Sequence, residues 1–280
     1  MLSRSGAEFR IFISIPKEPP GADGYPVIYL LDANAIFATM VDAVSLQSRR
    51  PAATGVEPAV IVGIGYPTDL PIDAERRMYD YTPAVPTSLL SPRPDGSSWS
   101  KTGGADHLLE FFEHDLKPTI ARDFPIDPKQ QTLFGHSFGG LFALYAMFTR
   151  PDMFSTFVAG SPSIWFADRS ILTAEKAFSE RLRTTRRCVR LLMGVGALEQ
   201  SISEREGANP QIKKRMDWVA KNRMIDNAVE MAARLHELTP HGLQVTYCQF
   251  EGENHVSVIP ALVSRALRFA MATRDDNREK

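Results

Sequence analysis

A serine, a histidine and an acid set far apart along the chain carry the chemistry this sequence can perform. Gly135-His136-Ser137-Phe138-Gly139 fits the pattern G-x-S-x-G. At ordinary glycine and serine frequencies such a match arises by chance in roughly one chain in ten of this length, so its flanks decide its meaning. Upstream, "QTLF" (131–134) is β-like, and downstream "GLFALYAMF" (140–148) is a helical run apolar on nearly every face. A serine between a strand and a helix is the arrangement of a nucleophile elbow. The turn must be strained and free of neighbouring side chains, which Gly135, Gly139 and Gly140 permit. A buried helix starting there would aim its free amides and positive dipole end at Ser137 Oγ. The competing reading is a small residue at a sharp turn with no chemistry.

Serine needs a base to take its proton, and the elbow order places an acid and then a histidine downstream. His107 and His114 precede the serine, His136 sits inside the elbow, and His236 and His241 lie in or just after a helical pattern. His255, in "CQFEGENHVSVIP", follows the last strand and precedes the last helix, where the base belongs. The acid should follow the preceding strand, "VRLLMGVG", which points to Glu199; Glu253, Asp217 and Asp226 compete, and a Ser–His pair alone can suffice. An oxyanion needs two backbone amides. One is that of Phe138. The second comes from the loop after an early strand, here Asp32-Ala33-Asn34, with the Asn34 amide favoured and Ala33 next. The reaction class is acyl transfer to water.

The elements that must hold these residues alternate along the chain. Strand patterns fall at 8–16, 26–31, 59–65, 131–134, 156–160, 189–196 and 243–250, and helical patterns at 35–48, 105–121, 139–149, 169–183, 212–238 and 256–272. Several strands are continuous Val/Ile/Leu runs, as expected when helices cover both faces of a mainly parallel sheet. The first alternates and suits an antiparallel edge. The reading is one α/β domain over 1–273, with a disordered tail at 274–280. The Pro/Ser/Gly-rich stretch 82–104 and the polar stretch 201–217 are variable loops and candidate pocket walls.

The bulk numbers agree. The 280 residues are 44% apolar and 23% charged with net charge −1, which leaves no basic excess for a nucleic-acid partner. No apolar run reaches membrane-spanning length, and "MLSRSGAEFRIFISIP" lacks a secretory core. A cytoplasmic protein follows, or a periplasmic one if a leader was removed. Cys188 and Cys248 read as buried free thiols.

The stretches "YLLDANAIF", "IVGIGYPTDLPIDAERRMYDYTP", "GGADHLLEFFEHDLKPTI", "TLFGHSFGGLFALYAMFTRPDMFSTFVAGSPSIWF" and "GENHVSVIPALVSRAL" together resemble the bacterial siderophore (trilactone) esterases of the α/β-hydrolase superfamily. The resemblance covers nearly all of 8–270. It implies an α/β-hydrolase fold and a serine esterase with its nucleophile at Ser137 and its base at His255. The family loop reads Leu-Asp-Gly-Asn, and here Ala33 stands in place of the glycine. The implied substrate is a siderophore trilactone such as enterobactin or a related ester, either iron-free or as the anionic ferric siderophore. Neither a metal nor an organic cofactor is implied. Arg76, Arg77, Lys213, Lys214 and Arg215 are candidates to meet an anionic ligand, and Trp99, Tyr79 and Tyr81 to stack on its rings. A general carboxylesterase, an acyltransferase and a non-catalytic binding protein of the same fold are the alternatives.

Overall fold

The computed structural model describes residues 1–90, 99–185, 187–202 and 212–272. Seven strands form one sheet: β1 (Arg10–Ser14), β2 (Tyr25–Leu30), β3 (Val60–Gly65), β4 (Ile126–His136), β5 (Thr156–Gly160), β6 (Val189–Gly196) and β7 (Leu243–Phe250). Their order is β1-β3-β2-β4-β5-β6-β7. β1 pairs antiparallel with β3, and every other pairing is parallel. The alternating first strand is thus the antiparallel edge its pattern suggested.

The principal helices are α1 (Ala33–Gln47), α2 (Ala74–Asp80), α3 (Ala105–Phe111), α4 (Lys117–Asp123), α5 (Phe138–Thr149), α6 (Ile171–Thr185), α7 (Ile212–Asn222), α8 (Met224–His236) and α9 (Val258–Met271). Successive strand residues point to opposite faces, and both faces are buried. Val27, Tyr29, Val62, Leu133, Phe157 and Leu191 pack on one side with residues of α3, α5, α6 and α8. Ile28, Leu30, Ile61, Phe134, Val158 and Leu192 pack on the other with α1 and α9. Two-sided burial is why these strands are continuously apolar. All of α5 except Tyr145 and Thr149 is buried, matching its uniform apolarity.

Four expectations needed correction. The pattern at 105–121 is interrupted by a π turn at Phe112–Leu116, and that at 212–238 breaks at Arg223, whose φ is 45°. α2 was not expected as a helix, although Asp73 caps it by accepting from the Arg76 amide at 3.0 Å. Cys188 is exposed and Cys248 only partly covered. Of the two variable stretches, 91–98 and 203–211 lie outside the described residues, as does the tail at 274–280; 212–217 is the start of α7. No helix among the described residues is long and apolar enough to cross a membrane.

Candidate active site

Parallel strands bring their carboxyl ends to one edge of the sheet, so residues remote in sequence meet there. The β2–α1 loop, Ser137 after β4, Glu199 after β6 and His255 after β7 all occupy such ends. Ser137 has φ 60° and ψ −117°, a sparsely populated conformation for a residue with a side chain. Its amide donates to Gly160 O at 2.8 Å and its carbonyl accepts from the Ser163 amide at 3.1 Å, so the end of β5 holds the strained peptide from both sides. A Cβ on Gly135 would lie 2.0 Å from Gly139 O, and one on Gly140 would lie 2.5 Å from Gly160 O. Gly139 differs: a Cβ there would meet only Leu31 and Asp32 side-chain atoms, at 3.5 Å or beyond. Two of the three glycines are therefore required by close approach.

Glu199 is fixed by three hydrogen bonds. Its Oε1 accepts from Ser161 Oγ and from the Gly196 amide, both at 2.6 Å, and its Oε2 lies 2.7 Å from His255 Nδ1. The carboxylate is 1% exposed and the imidazole 40%. A carboxylate only accepts, so the proton of neutral His255 sits on Nδ1 and Nε2 is left as an acceptor. The turn bearing Glu199 is stitched to the histidine loop, with Ala197 N donating to Phe250 O and Leu198 N to Glu253 O, each at 2.9 Å. Asn254 Oδ1 accepts from the amides of Val256 and Ser257, closing the histidine loop on itself. Of the competing acids, Asp226 pairs with Arg223, and only Glu199 bonds His255 among the described residues. Ser161, at φ 39°, had no signal in the sequence beyond its place after β5.

His136 is buried with its ring centroid 4.7 Å from that of His255. Among the described residues its Nε2 has no hydrogen-bond partner. Burial pushes its pKa well below 6.5, and the nearby His255 and Arg77 charges act in the same direction.

Asp32 holds the positive φ of the β2–α1 loop, at 52°, and Ala33 opens α1. Alanine at the glycine position of the family loop therefore carries no left-handed strain. The Ala33 and Asn34 amides precede the helix's own hydrogen-bonding ladder. The Asn34 side chain accepts from Tyr66 N at 2.8 Å and donates to Tyr66 O and Thr68 O, tying α1 to the end of β3.

Arg76 and Arg77 are each engaged by partners within the protein. Arg76 donates to Glu8 O, pairs with Asp80, and stacks on Phe9 and Tyr66. Arg77 is nearly buried in a two-pronged pair with Asp32, both contacts 2.9 Å. Burial alone would lower its pKa, but the Asp32 carboxylate more than offsets this and raises it. Tyr81 is fully buried, with its hydroxyl accepting from the Asp32 amide, and Tyr79 lies against Lys101 and His107. Trp99 does reach the region, packing on Phe138, Trp165 and Phe166 with centroids 5.9–6.5 Å apart.

Ser137 and His255 line a cleft of about 130 Å³ together with Ser163, Trp165, Trp218 and Arg215. Trp165 and Trp218, with centroids 5.1 Å apart, separate it from a second cleft of about 160 Å³ bordered by Trp99, Arg169 and Lys221. Ala167, Asp168 and Arg169 have positive φ in succession beside that second cleft. Lys213 and Lys214 lie on the exposed side of α7. A roomier groove of about 560 Å³ around Lys117, Gln131 and Arg181 shares no residue with these and holds no serine, histidine or cysteine. No cluster of three or more His, Cys, Asp or Glu with metal-binding geometry occurs among the described residues.

The chain is similar to known esterases along most of its length. A family model described as "Putative esterase" matches residues 3–258. The ferri-bacillibactin esterase BesA of Bacillus subtilis is 47% identical over 263 residues, covering 94% of this chain and 84% of that protein. A siderophore triacetylfusarinine C esterase of Aspergillus fumigatus is 38% identical over 272 residues, covering 94% of this chain and 88% of that one. Among solved structures, the BES protein of Bacillus cereus superposes with a TM-score of 0.84 at 40% identity, covering 98% and 94% of the two chains.

Proposed function

This chain belongs to that esterase family, and from this premise we propose that it hydrolyses siderophore esters through an acyl-enzyme on Ser137. His255 Nε2 takes the Ser137 Oγ proton as the oxygen attacks the ester carbonyl. The amides of Phe138 and of Asn34, with that of Ala33 beside it, receive the oxyanion. Collapse of the tetrahedral species expels the alcohol, which takes the proton back from His255. Water then repeats the sequence on the acyl-enzyme and releases the acid. Glu199 holds the imidazole in the tautomer that can accept and stabilises its charged form.

The observation that carries this reading is the Glu199–His255 bond at 2.7 Å, formed by a carboxylate whose other oxygen is already fixed, beside a serine in an elbow conformation. The substrate class rests on the relatives, which are named as siderophore esterases, and on the indoles of Trp165 and Trp218 in the serine cleft, with Trp99 in the cleft behind them. Indole faces suit the aromatic arms of a catecholate trilactone, iron-free or ferric.

Ser137→Ala is expected to lose about 10³-fold or more in kcat on activated aryl esters with its melting temperature preserved, and to escape fluorophosphonate labelling. Retained turnover refutes the nucleophile assignment. Incubation with ferric and iron-free enterobactin, read by mass spectrometry for linear products, tests the substrate. Much faster cleavage of simple acyl esters would instead support a general carboxylesterase.

A further inference from the structure

The turn that follows β5 touches both the nucleophile and the acid. Gly160 O accepts from the Ser137 amide at 2.8 Å, and the Ser163 amide donates to Ser137 O at 3.1 Å. Between them, Ser161 donates its amide to Gly194 O at 2.7 Å and its hydroxyl to Glu199 Oε1 at 2.6 Å. Ser161 is fully buried, so its hydroxyl is shielded from solvent.

The three donors that hold the Glu199 carboxylate are not equivalent. The Gly196 amide belongs to the acid's own turn, and His255 is the group to be oriented. Ser161, 38 residues away in sequence, ties the carboxylate to the strand beside the nucleophile. With two donors on Oε1 the carboxylate resists rotation, and Oε2 is left to His255 Nδ1.

The backbone of Ser161 is strained. Its φ of 39° is a left-handed conformation that glycine adopts freely and a residue with a Cβ does not. The turn has little room to relax, because α5 packs tightly on it: a Cβ on Gly140 would lie 2.5 Å from Gly160 O and 3.1 Å from Pro162 Cα. A glycine at 161 would suit the backbone better but would bring no hydroxyl.

We propose that Ser161 is a positioning residue, held in a strained backbone so that its hydroxyl fixes the Glu199 carboxylate in the orientation that serves His255. This rests on the reading of Ser137, His255 and Glu199 as a triad. Ser161 touches neither substrate nor the transferred proton. It acts through Glu199 alone, and misplacing a catalytic group by about 1 Å costs on the order of 10²-fold in rate.

The test uses Ser161→Gly and Ser161→Ala, each alone and combined with Glu199→Ala. Both changes remove the hydroxyl, and the glycine also relieves the φ. The two variants should share a kcat on an activated aryl ester lower by about 10- to 100-fold, with KM within about twofold. Ser161→Gly should nevertheless melt higher than Ser161→Ala. In the Glu199→Ala background either change should alter kcat by less than about threefold. A kcat for Ser161→Gly within about threefold of wild type overturns the proposal. So does a kcat that follows melting temperature across the two variants, or an undiminished loss added on top of Glu199→Ala. Failure of the underlying reading looks different, and the proposal falls with it: Glu199→Ala alone would turn over within about tenfold of wild type, or Ser137→Ala would be labelled by fluorophosphonate.

Discussion

Replacing Glu199 by glutamine changes one atom and should leave the fold in place while stopping the chemistry. In the native site Oε1 faces two donors, Ser161 Oγ and the Gly196 amide at 2.6 Å each, and Oε2 faces His255 Nδ1 at 2.7 Å. Glutamine has one acceptor and one donor end. The Gly196 amide cannot rotate, so the acceptor end must stay with it and the NH2 group must turn to His255. His255 can meet an NH2 group only by presenting Nδ1 as an acceptor, which moves its proton to Nε2, the nitrogen that should receive the Ser137 proton. The active tautomer is disfavoured, and the imidazolium loses its buried counter-charge. Disabling an orienting acid in this way typically costs about 10⁴-fold in kcat, which is about 5.4 kcal/mol at 1.36 kcal/mol per tenfold. Hydrolysis of a p-nitrophenyl ester, followed alongside a thermal melt, separates the effects. The expectation is a rate lower by about 10³- to 10⁴-fold with little change in melting temperature. A rate within tenfold of wild type would show that His255 is oriented without the carboxylate and that a Ser–His pair suffices.

Two further predictions concern the frame around the serine. Gly135→Ala, whose methyl would lie 2.0 Å from Gly139 O, should destabilise the protein by about 1–3 kcal/mol or more and abolish turnover. Gly139→Ala meets nothing closer than 3.5 Å and should melt within a few degrees of wild type; equal melting temperatures for the pair would refute the close-approach argument. His136, kept neutral by burial, lowers stability in acid: the unfolded chain takes up its proton near pH 6.5 and the folded protein does not. Stability should therefore fall as pH drops below about 6.5, with this residue contributing up to about 1.4 kcal/mol per pH unit. His136→Asn should flatten that slope in urea titrations from pH 7 to 5, and an unchanged slope would count against the burial argument.

How much of this was legible in the chain varies from residue to residue. Helix α2 was overlooked because seven residues, AERRMYD, are too few to show a period, even though Asp73 marked its start. The same short helix pairs Arg76 with Asp80 and Arg77 with Asp32, partners that the run of charges does not announce. β4 extends back to Ile126 through the polar stretch IDPKQ because strand pairing, which no hydrophobic pattern records, begins with Tyr25 opposite Ile126.

The sequence by itself determined the local grammar: which runs are strands buried on both faces, where a strand must turn into a helix at Ser137, and that an acid and a histidine follow the last two strands. Those features rest on periodicity, glycine placement and chain order, which are properties of neighbours along the chain. Only the tertiary structure decided that Ser161 and the Gly196 amide share one oxygen of Glu199, that His136 lies against His255, and that Arg77 spans from the Asp32 loop to the elbow. Apart from the local Gly196–Glu199 bond, each joins residues separated by tens of positions. A contact of that kind depends on how far each strand carries its end along a common sheet edge, and local composition holds no record of that distance.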